Sequence, residues 1–425
     1  MRGGAARCHA LFLTVECTAL TLVCGARALS SRWLQRVRAR RAFHLKALPI
    51  CRSLSLLSSA SMLVMVSLSA EQWRSIAAEK VLSLLVEEGA VTKPEMEAKL
   101  SEAPPQPGLH RPEPHHLTMA RNRLLEAGEI VSQRNTTRGG RVVTTFSLTA
   151  TTKQAERAAA RKRLLHSRYL SWSASPSEWG APPVPSALER VIHASLTESA
   201  VHGYRLVKPG GGEVGQLLGR PVAGGPLDNA AFYTALSTDG IPRAATTVLV
   251  EAKNLRQWIY PRTQELYQVL DKSARLQVAH PEQSIVPVLV CRKQHFTTGV
   301  MAKQMGFHVI DTWRQYVRPI VAGSPEDERK FIEVIDELGY NLTLHEGAVE
   351  QMVRQFVSVL PRRMDEVVAR WRAVALHPDV PETLVRLRDD GISNDERHNA
   401  LVDLRGAVNE VTEEDRAWGP NPDEV

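Results

Sequence analysis

Two acidic residues and one lysine stand where their types and spacing could hydrolyse a phosphodiester. Asp228 precedes one short apolar run, and Glu251 and Lys253 lie at the end of another. Carboxylate oxygens are the ligands that hard divalent cations prefer, and a lysine supplies a positive charge for a phosphate. The three residues therefore predict the metal site of a nuclease.

The predicted elements bring these residues together. The chain reads as a strand at 229–235, a turn at 237–242 and a second strand at 246–251. Residues two apart in a strand share a face, so Glu251 and Lys253 converge, and a hairpin places Asp228 at the same sheet edge. Two further Glu-x-Lys triplets, 97–99 and 328–330, lie in helix-like segments where solvated charges are the simpler interpretation.

Further elements surround this hairpin. Apolar spacing predicts helices at 186–196, 261–277 and 297–305 and strands at 204–207, 285–290 and 308–310. The order is helix, three strands, helix, strand, helix, strand. With Pro226-Leu-Asp228 and Glu251-Ala-Lys253, the segment from about 186 to 311 resembles the PD-(D/E)xK, or restriction-endonuclease-like, nuclease superfamily.

The resemblance implies a role for each motif residue. Asp228, Glu251 and the Ala252 carbonyl would bind Mg²⁺ or Mn²⁺, which lowers the pKa of an attacking water and stabilises charge on the phosphate. Lys253 would orient the nucleophile or neutralise the developing charge. The alternative is that Asp228 caps a strand and that Glu251 and Lys253 are an ordinary exposed pair.

Two more residues are implied by the same resemblance. Glu189, on the first helix, would be an additional acidic residue of the site. Gln264, on the predicted helix after the motif, would be a polar residue near it. A solvated helix residue is the alternative for each.

A second module, upstream, points to DNA independently. Helices predicted at 71–89, 92–100 and 117–128 and strands at 130–134 and 142–148 resemble a winged helix-turn-helix domain. From 118 to 168 the chain has eleven Lys and Arg against three Glu. This asymmetry is typical of a surface that follows phosphates.

Four arginines of this module are the predicted DNA contacts. Arg121 and Arg123 would lie on the recognition helix and reach base edges, whereas Arg138 and Arg141 at the wing tip would contact the backbone or minor groove. A protein-binding winged helix is the alternative, because a fold does not fix a function. The basic stretch 157–168 is equally compatible with a solvated linker helix.

Composition divides the chain into five segments. We expect an atypical extension at 1–68, a winged helix-turn-helix at 69–150, a basic helix and proline-rich linker at 151–185, a nuclease-like domain at 186–320 and a helical region at 321–425. The predicted fold class is multidomain α+β, with an α/β restriction-endonuclease-like core (αβββαβ). The helical region is expected to pack on the core or to mediate dimerisation.

The first 68 residues differ from the rest in composition. Residues 1–52 carry a net charge of +9, so the remainder carries −2 of the overall +7 and the basic pI does not describe the body of the protein. Two stretches imitate a secretory signal and a membrane span, but Glu16 interrupts the first and the second is short and serine-rich. We therefore expect a start at Met62 or Met65 and a cytoplasmic protein; a membrane-anchored protein is the weaker alternative.

Other chemistry is thinly represented. The cysteines form no disulfide framework, and no Cys-x-x-Cys or His-x₃-His pair suggests zinc. His110, His115 and His116 are placed in a proline-rich loop with water as their partner. The glycines at 210–212 do not form a phosphate cradle, so no nucleotide cofactor is expected.

The sequence favours one function class and leaves another open. The favoured class is a metal-dependent DNA endonuclease of restriction or repair type. A homodimer suits an enzyme that cuts both strands, because one site serves one strand. The alternative is a non-catalytic DNA-binding regulator with an inactive nuclease-like domain.

Overall fold

The computed structural model describes residues 68–102, 111–137, 140–150, 152–174, 184–317, 332–333, 335–345, 347–414 and 418. Ser67–Val425 forms one compact unit. The expectations for the N-terminal extension, the proline-rich linker after 174, His110, Arg138 and the triplet at 328–330 lie outside the described residues. Among the described helices, none has the length and apolar content that a bilayer crossing needs.

The N-terminal module, residues 70–148, contains the predicted helices and hairpin. Its elements are α1 (Ala70–Glu88), β1 (Val91–Thr92), α2 (Lys93–Ser101), α3 (Pro114–Glu126), β2 (Ile130–Thr136) and β3 (Val142–Leu148). The strands form an antiparallel sheet in the order β1-β3-β2. A capping box opens α2, with the Thr92 side chain accepting from the Glu95 amide. Val81, Leu117 and Phe146 are buried where helices and sheet meet.

A long helix follows this module, α4 (Lys153–Ala174). The interpretation of 157–168 as a solvated linker helix is wrong, because Lys162 is only 2% exposed. Its Nζ donates to Glu88 Oε2 at 2.9 Å and also to Glu95 Oε1. A charge is buried only when it is paired, so α4 is fixed against α1 and α2.

The central part of the chain runs through α5 (Pro185–Glu198), β4 (Tyr204–Leu206), β7 (Asn229–Tyr233), β8 (Thr246–Lys253), α6 (Leu266–Ala279), β9 (Ile285–Cys291), α7 (Phe296–Met305) and β10 (His308–Asp311). This confirms the predicted element order. These five strands form the central sheet in the order β10-β9-β8-β7-β4. A small hairpin that the sequence did not predict, β5 (Gln216–Leu217) with β6 (Arg220–Pro221), lies in the glycine-rich loop.

The central sheet is covered on both faces, which explains the unbroken apolar runs of its inner strands. Alternate residues of β8 face opposite sides: Leu249 packs with α6 and α7, whereas Val248 and Val250 pack with α5. Strands β8, β9 and β10 are parallel to one another. Strand β7 is antiparallel to both of its neighbours, β4 and β8.

The C-terminal region packs on this core, which confirms one of its two expected roles. After β11 (Gln315–Val317), which precedes it, the region contains β12 (Leu342–Leu344), α8 (Glu350–Arg354), a π-helical turn (Gln355–Val359), α9 (Leu360–Ala375), α10 (Asp379–Arg388) and α11 (Asn394–Thr412). Trp371, Leu384 and Leu404 lie in the same apolar core as α6. The parallel pair β11 and β12 was not predicted from the sequence.

Candidate functional site

Strands β7 and β8 place the motif residues at one edge of the central sheet, as the hairpin predicts. Asn229 pairs with Val250, so the residue before β7 lies beside the end of β8. Asp228 Oδ2 accepts a hydrogen bond from the Ala252 amide at 2.6 Å. The structure therefore brings Asp228 together with the Glu251-Ala-Lys253 triplet.

Glu251 is a buried carboxylate held between two ammonium groups. It is 2% exposed. Lys253 Nζ lies 3.2 Å from its Oε1, and Lys272 Nζ lies 3.1 Å from each of its two oxygens. Lys272 also donates to the carbonyl of Pro226, two residues before Asp228. These contacts exclude the interpretation of Glu251 and Lys253 as an ordinary exposed pair.

A glutamine on α6 contacts the motif lysine, but it is not the one that the sequence indicated. Lys253 Nζ donates to Gln268 Oε1 at 2.7 Å. The predicted helix start at 261 is wrong, because Tyr260 and Thr263 form a turn and α6 begins at Leu266. Gln264 therefore lies before the helix and donates to the Arg388 carbonyl at 2.8 Å.

Helix α5 faces the start of β7 through two residues that are four apart. Glu189 is partly exposed, and its carbonyl accepts from Asn229 Nδ2 at 3.2 Å. His193, one turn later, has Nδ1 3.3 Å from Asn229 Oδ1 and Nε2 3.1 Å from the Pro209 carbonyl. Glu189 thus lies on a helix that contacts Asn229, the residue after Asp228.

Asp228 is buried close to two other carboxyl groups, those of Glu251 and Glu189. Burial and the negative charge of Glu251 raise the pKa of Asp228 to about 7. The Ala252 amide and Lys253 act in the opposite direction, and Glu189 adds to the increase. A divalent cation at this edge would favour the ionised carboxylate, because an opposite charge stabilises the charged form.

The donor set fits a hard cation. Asp228 and Glu251 offer carboxylate oxygens and Ala252 offers a carbonyl oxygen, and Mg²⁺ and Mn²⁺ prefer oxygen ligands. Three residues that the sequence does not single out complete this neighbourhood: Gln268, Lys272 and His193. One signal was available for Lys272, a lysine inside the apolar stretch of α6, where an unpaired charge would not be buried.

The second Glu-x-Lys triplet serves as an internal comparison. Lys99 lies on α2, and its Nζ is 2.6 Å from Glu88 Oε1 and 2.9 Å from Glu95 Oε1. The prediction that this charge is solvated is wrong, because Lys99 is ion-paired, whereas the prediction that it lies in a helix is confirmed. Lys99 therefore belongs to an ion-paired cluster of the N-terminal module.

The arginines predicted to contact DNA have different environments. The Arg121 guanidinium lies 5.2 Å from the centre of the Phe146 ring, and burial lowers the pKa of Arg121. Arg123 is exposed and pairs with Glu71 at 2.7 Å. Arg141 is partly exposed beside β3. The charge of 118–168 is also partly neutralised, since Lys162 is buried with two glutamates and Arg161 pairs with Glu337.

Two histidines that were assigned to a loop lie in the first turn of α3. His115 and His116 follow the N-cap Glu113, and the His116 ring nitrogen accepts from the Glu113 amide at 3.3 Å. Burial and the neighbouring His115 lower the pKa of His116 to about 4. Both histidines therefore contact Glu113, whereas the sequence predicted water as their partner.

Comparisons of the chain with protein-family models, with curated proteins and with solved structures found no match.

Proposed function

We propose that this chain is a metal-dependent DNA endonuclease of the restriction-endonuclease-like type. The observation that carries the proposal is the meeting of Asp228, Glu251 and Lys253 at one edge of the central sheet, with the Asp228 carboxylate 2.6 Å from the Ala252 amide. Mg²⁺ or Mn²⁺ is the cofactor that this oxygen-rich set suits best.

In the proposed reaction, Asp228 and Glu251 would hold the cation at the sheet edge with the Ala252 carbonyl. Once bound, it would lower the pKa of the attacking water and stabilise charge on the scissile phosphate. Lys253 neutralises the developing phosphate charge, and its bond to Gln268 at 2.7 Å limits the orientations of its ammonium group. Glu189 is the additional acid, on α5.

The N-terminal module would grip the duplex. Exposed ion pairs contribute little to stability, so Arg123 can exchange Glu71 for a phosphate at low cost. Arg141 lies beside the predicted wing tip, and Arg121 is held on Phe146 at the base of the same surface. A homodimer would present one site to each strand, and we propose it for cutting of both strands.

Binding is tested by the salt dependence of DNA affinity. Arg123→Ala or Arg141→Ala should reduce the slope of log affinity against log salt by about 1 for each lost phosphate contact. Arg386→Ala is the matched control, because Arg386 is also exposed and paired, with Asp403 at 3.3 Å on the C-terminal helices. Equal slopes for the native protein and the three variants would contradict the assignment of Arg123 and Arg141 as phosphate contacts.

Catalysis is tested with the full-length protein on supercoiled and linear DNA in Mg²⁺, Mn²⁺ or EDTA. Cutting should require the metal and be lost in Asp228→Ala and Lys253→Ala. Lys99→Ala should retain it, because Lys99 belongs to the Glu-x-Lys triplet on α2. Cutting in EDTA, or cutting retained by both site variants, would refute the proposal.

One observation favours a second candidate, a non-catalytic DNA-binding regulator. Lys272 contacts both oxygens of Glu251, so this carboxylate already has a buried cationic partner. Salt-sensitive DNA binding without cutting, together with no heat of Mn²⁺ binding in calorimetry, would support the regulator. Metal uptake that Asp228→Ala abolishes would support the nuclease.

A further inference from the structure

A cluster of three side chains with metal-ligating atoms shares no residue with the Asp228 site. Glu113 Oε2 is 2.7 Å from His295 Nε2 and 3.5 Å from His115 Nδ1. One ligand atom from each of the three residues falls within 4.8 Å of the other two. The donors are two imidazole nitrogens and one carboxylate oxygen, a set that zinc binds in proteins.

We propose that Glu113, His115 and His295 form a zinc site. Imidazole nitrogens suit zinc and related transition cations better than they suit Mg²⁺, so this site and the Asp228 site differ in the metal they select. Three protein ligands leave the fourth tetrahedral position to water.

His295 is fixed in a manner that suits a ligand. It is 1% exposed, and its Nδ1 lies 2.7 Å from Thr297 Oγ1, which leaves Nε2 facing Glu113. Tyr260 stacks on the imidazole, with ring centres 4.7 Å apart. With zinc on Nε2, Nδ1 would carry the proton and donate to Thr297 Oγ1, as the second ring nitrogen of a histidine ligand commonly does, in place of accepting from the Thr297 amide at 3.4 Å.

The three ligands come from two parts of the chain that are 182 residues apart in sequence. Glu113 is the N-cap of α3 and His115 lies in its first turn, within the N-terminal module. His295 is the N-cap of α7, beside the central sheet. Zinc would therefore link the N-terminal module to the central sheet, and the free energy of zinc binding would stabilise that contact.

Metal binding by the full-length protein tests the proposal directly. The chelator-treated protein is titrated with Zn²⁺ in an excess of Mg²⁺, and Co²⁺ is added separately to record its visible absorption. We expect one Zn²⁺ per chain, the absorption of four-coordinate Co²⁺, and a higher melting temperature with Zn²⁺.

The variants separate the site from general effects on folding. His115→Ala and Glu113→Gln should weaken Zn²⁺ binding by at least about 100-fold, and Thr297→Val, which removes the support of His295, by about 10-fold to 100-fold. His377→Ala is the control, since His377 is paired with a single glutamate, Glu410, at 3.4 Å. No Zn²⁺ uptake by the native protein, or equal uptake by His115→Ala and Glu113→Gln, would overturn the proposal.

Discussion

Removal of the buried Lys272 ammonium should measurably destabilise the protein. Its side chain is 5% exposed and neutralises Glu251 through two contacts of 3.1 Å. Loss of one partner of a buried ion pair costs about 3–5 kcal/mol, because the other charge stays buried. Lys253 remains 3.2 Å from Glu251, so we expect the lower end, about 3 kcal/mol for Lys272→Met.

The assay is chemical denaturation of the metal-free protein. Lys208→Met, an exposed lysine bonded to the Glu213 carbonyl, is the control and should change the free energy of unfolding by less than about 0.5 kcal/mol. In a double-mutant cycle, Glu251→Gln with Lys272→Met should cost less than the sum of the single changes. Mg²⁺ at about 100 times its Kd should restore about 2.7 kcal/mol to Lys272→Met.

Two results would refute this reasoning. The first is a cost below about 1 kcal/mol for Lys272→Met, which would mean that the ammonium is not a needed partner of Glu251. The second is strict additivity in the double-mutant cycle, which would mean that the two side chains do not interact.

Three further changes test contacts elsewhere in the fold. Gly306→Ala should cost about 2–5 kcal/mol in unfolding free energy, because its φ is +81° and a Cβ would lie 2.4 Å from the Trp371 amide nitrogen; Gly128→Ala, at φ +69° with open space, should cost only about 1–2 kcal/mol. Burial lowers the pKa of His308 to about 4, so the unfolded chain takes up its proton first and stability falls as the pH drops from 6.5 towards 4. Between pH 7 and pH 5, the free energy of unfolding should fall by about 2 kcal/mol less in His308→Leu than in the native protein. An equal fall in the two proteins would contradict the assignment. Glu102→Gln should cost about 3–5 kcal/mol in denaturation, since it leaves the buried Arg292, 2.6 Å away, without its carboxylate.

The sequence predicted the elements around the motif well, because their signals are local. Apolar runs of β-branched residues marked β8 and β9, and the capping box of Thr92 and Glu95 marked the start of α2. Because side chains alternate between the two faces of a strand, Glu251 and Lys253 lie on the same face, and the antiparallel pairing of β7 with β8 places Asp228 beside them.

The misses arose where a distant partner decides the structure. Helix α6 begins later than predicted, and Gln264, which lies before it, donates to the Arg388 carbonyl of the C-terminal region, whereas Gln268 contacts Lys253. Lys272 and Lys162 are buried only because glutamates from other elements neutralise them. The pairing of His295 with Glu113 joins residues that no spacing rule relates.

The most direct test of the nuclease proposal is the single-turnover rate of DNA cleavage in Mn²⁺ for the native protein, Lys253→Ala and Lys99→Ala. Loss of one group that stabilises the transition state costs about 10²-fold to 10³-fold in rate. The account predicts a loss of that size for Lys253→Ala and a native rate for Lys99→Ala. Equal rates in all three proteins, or no cleavage by the native protein on any DNA, would contradict it.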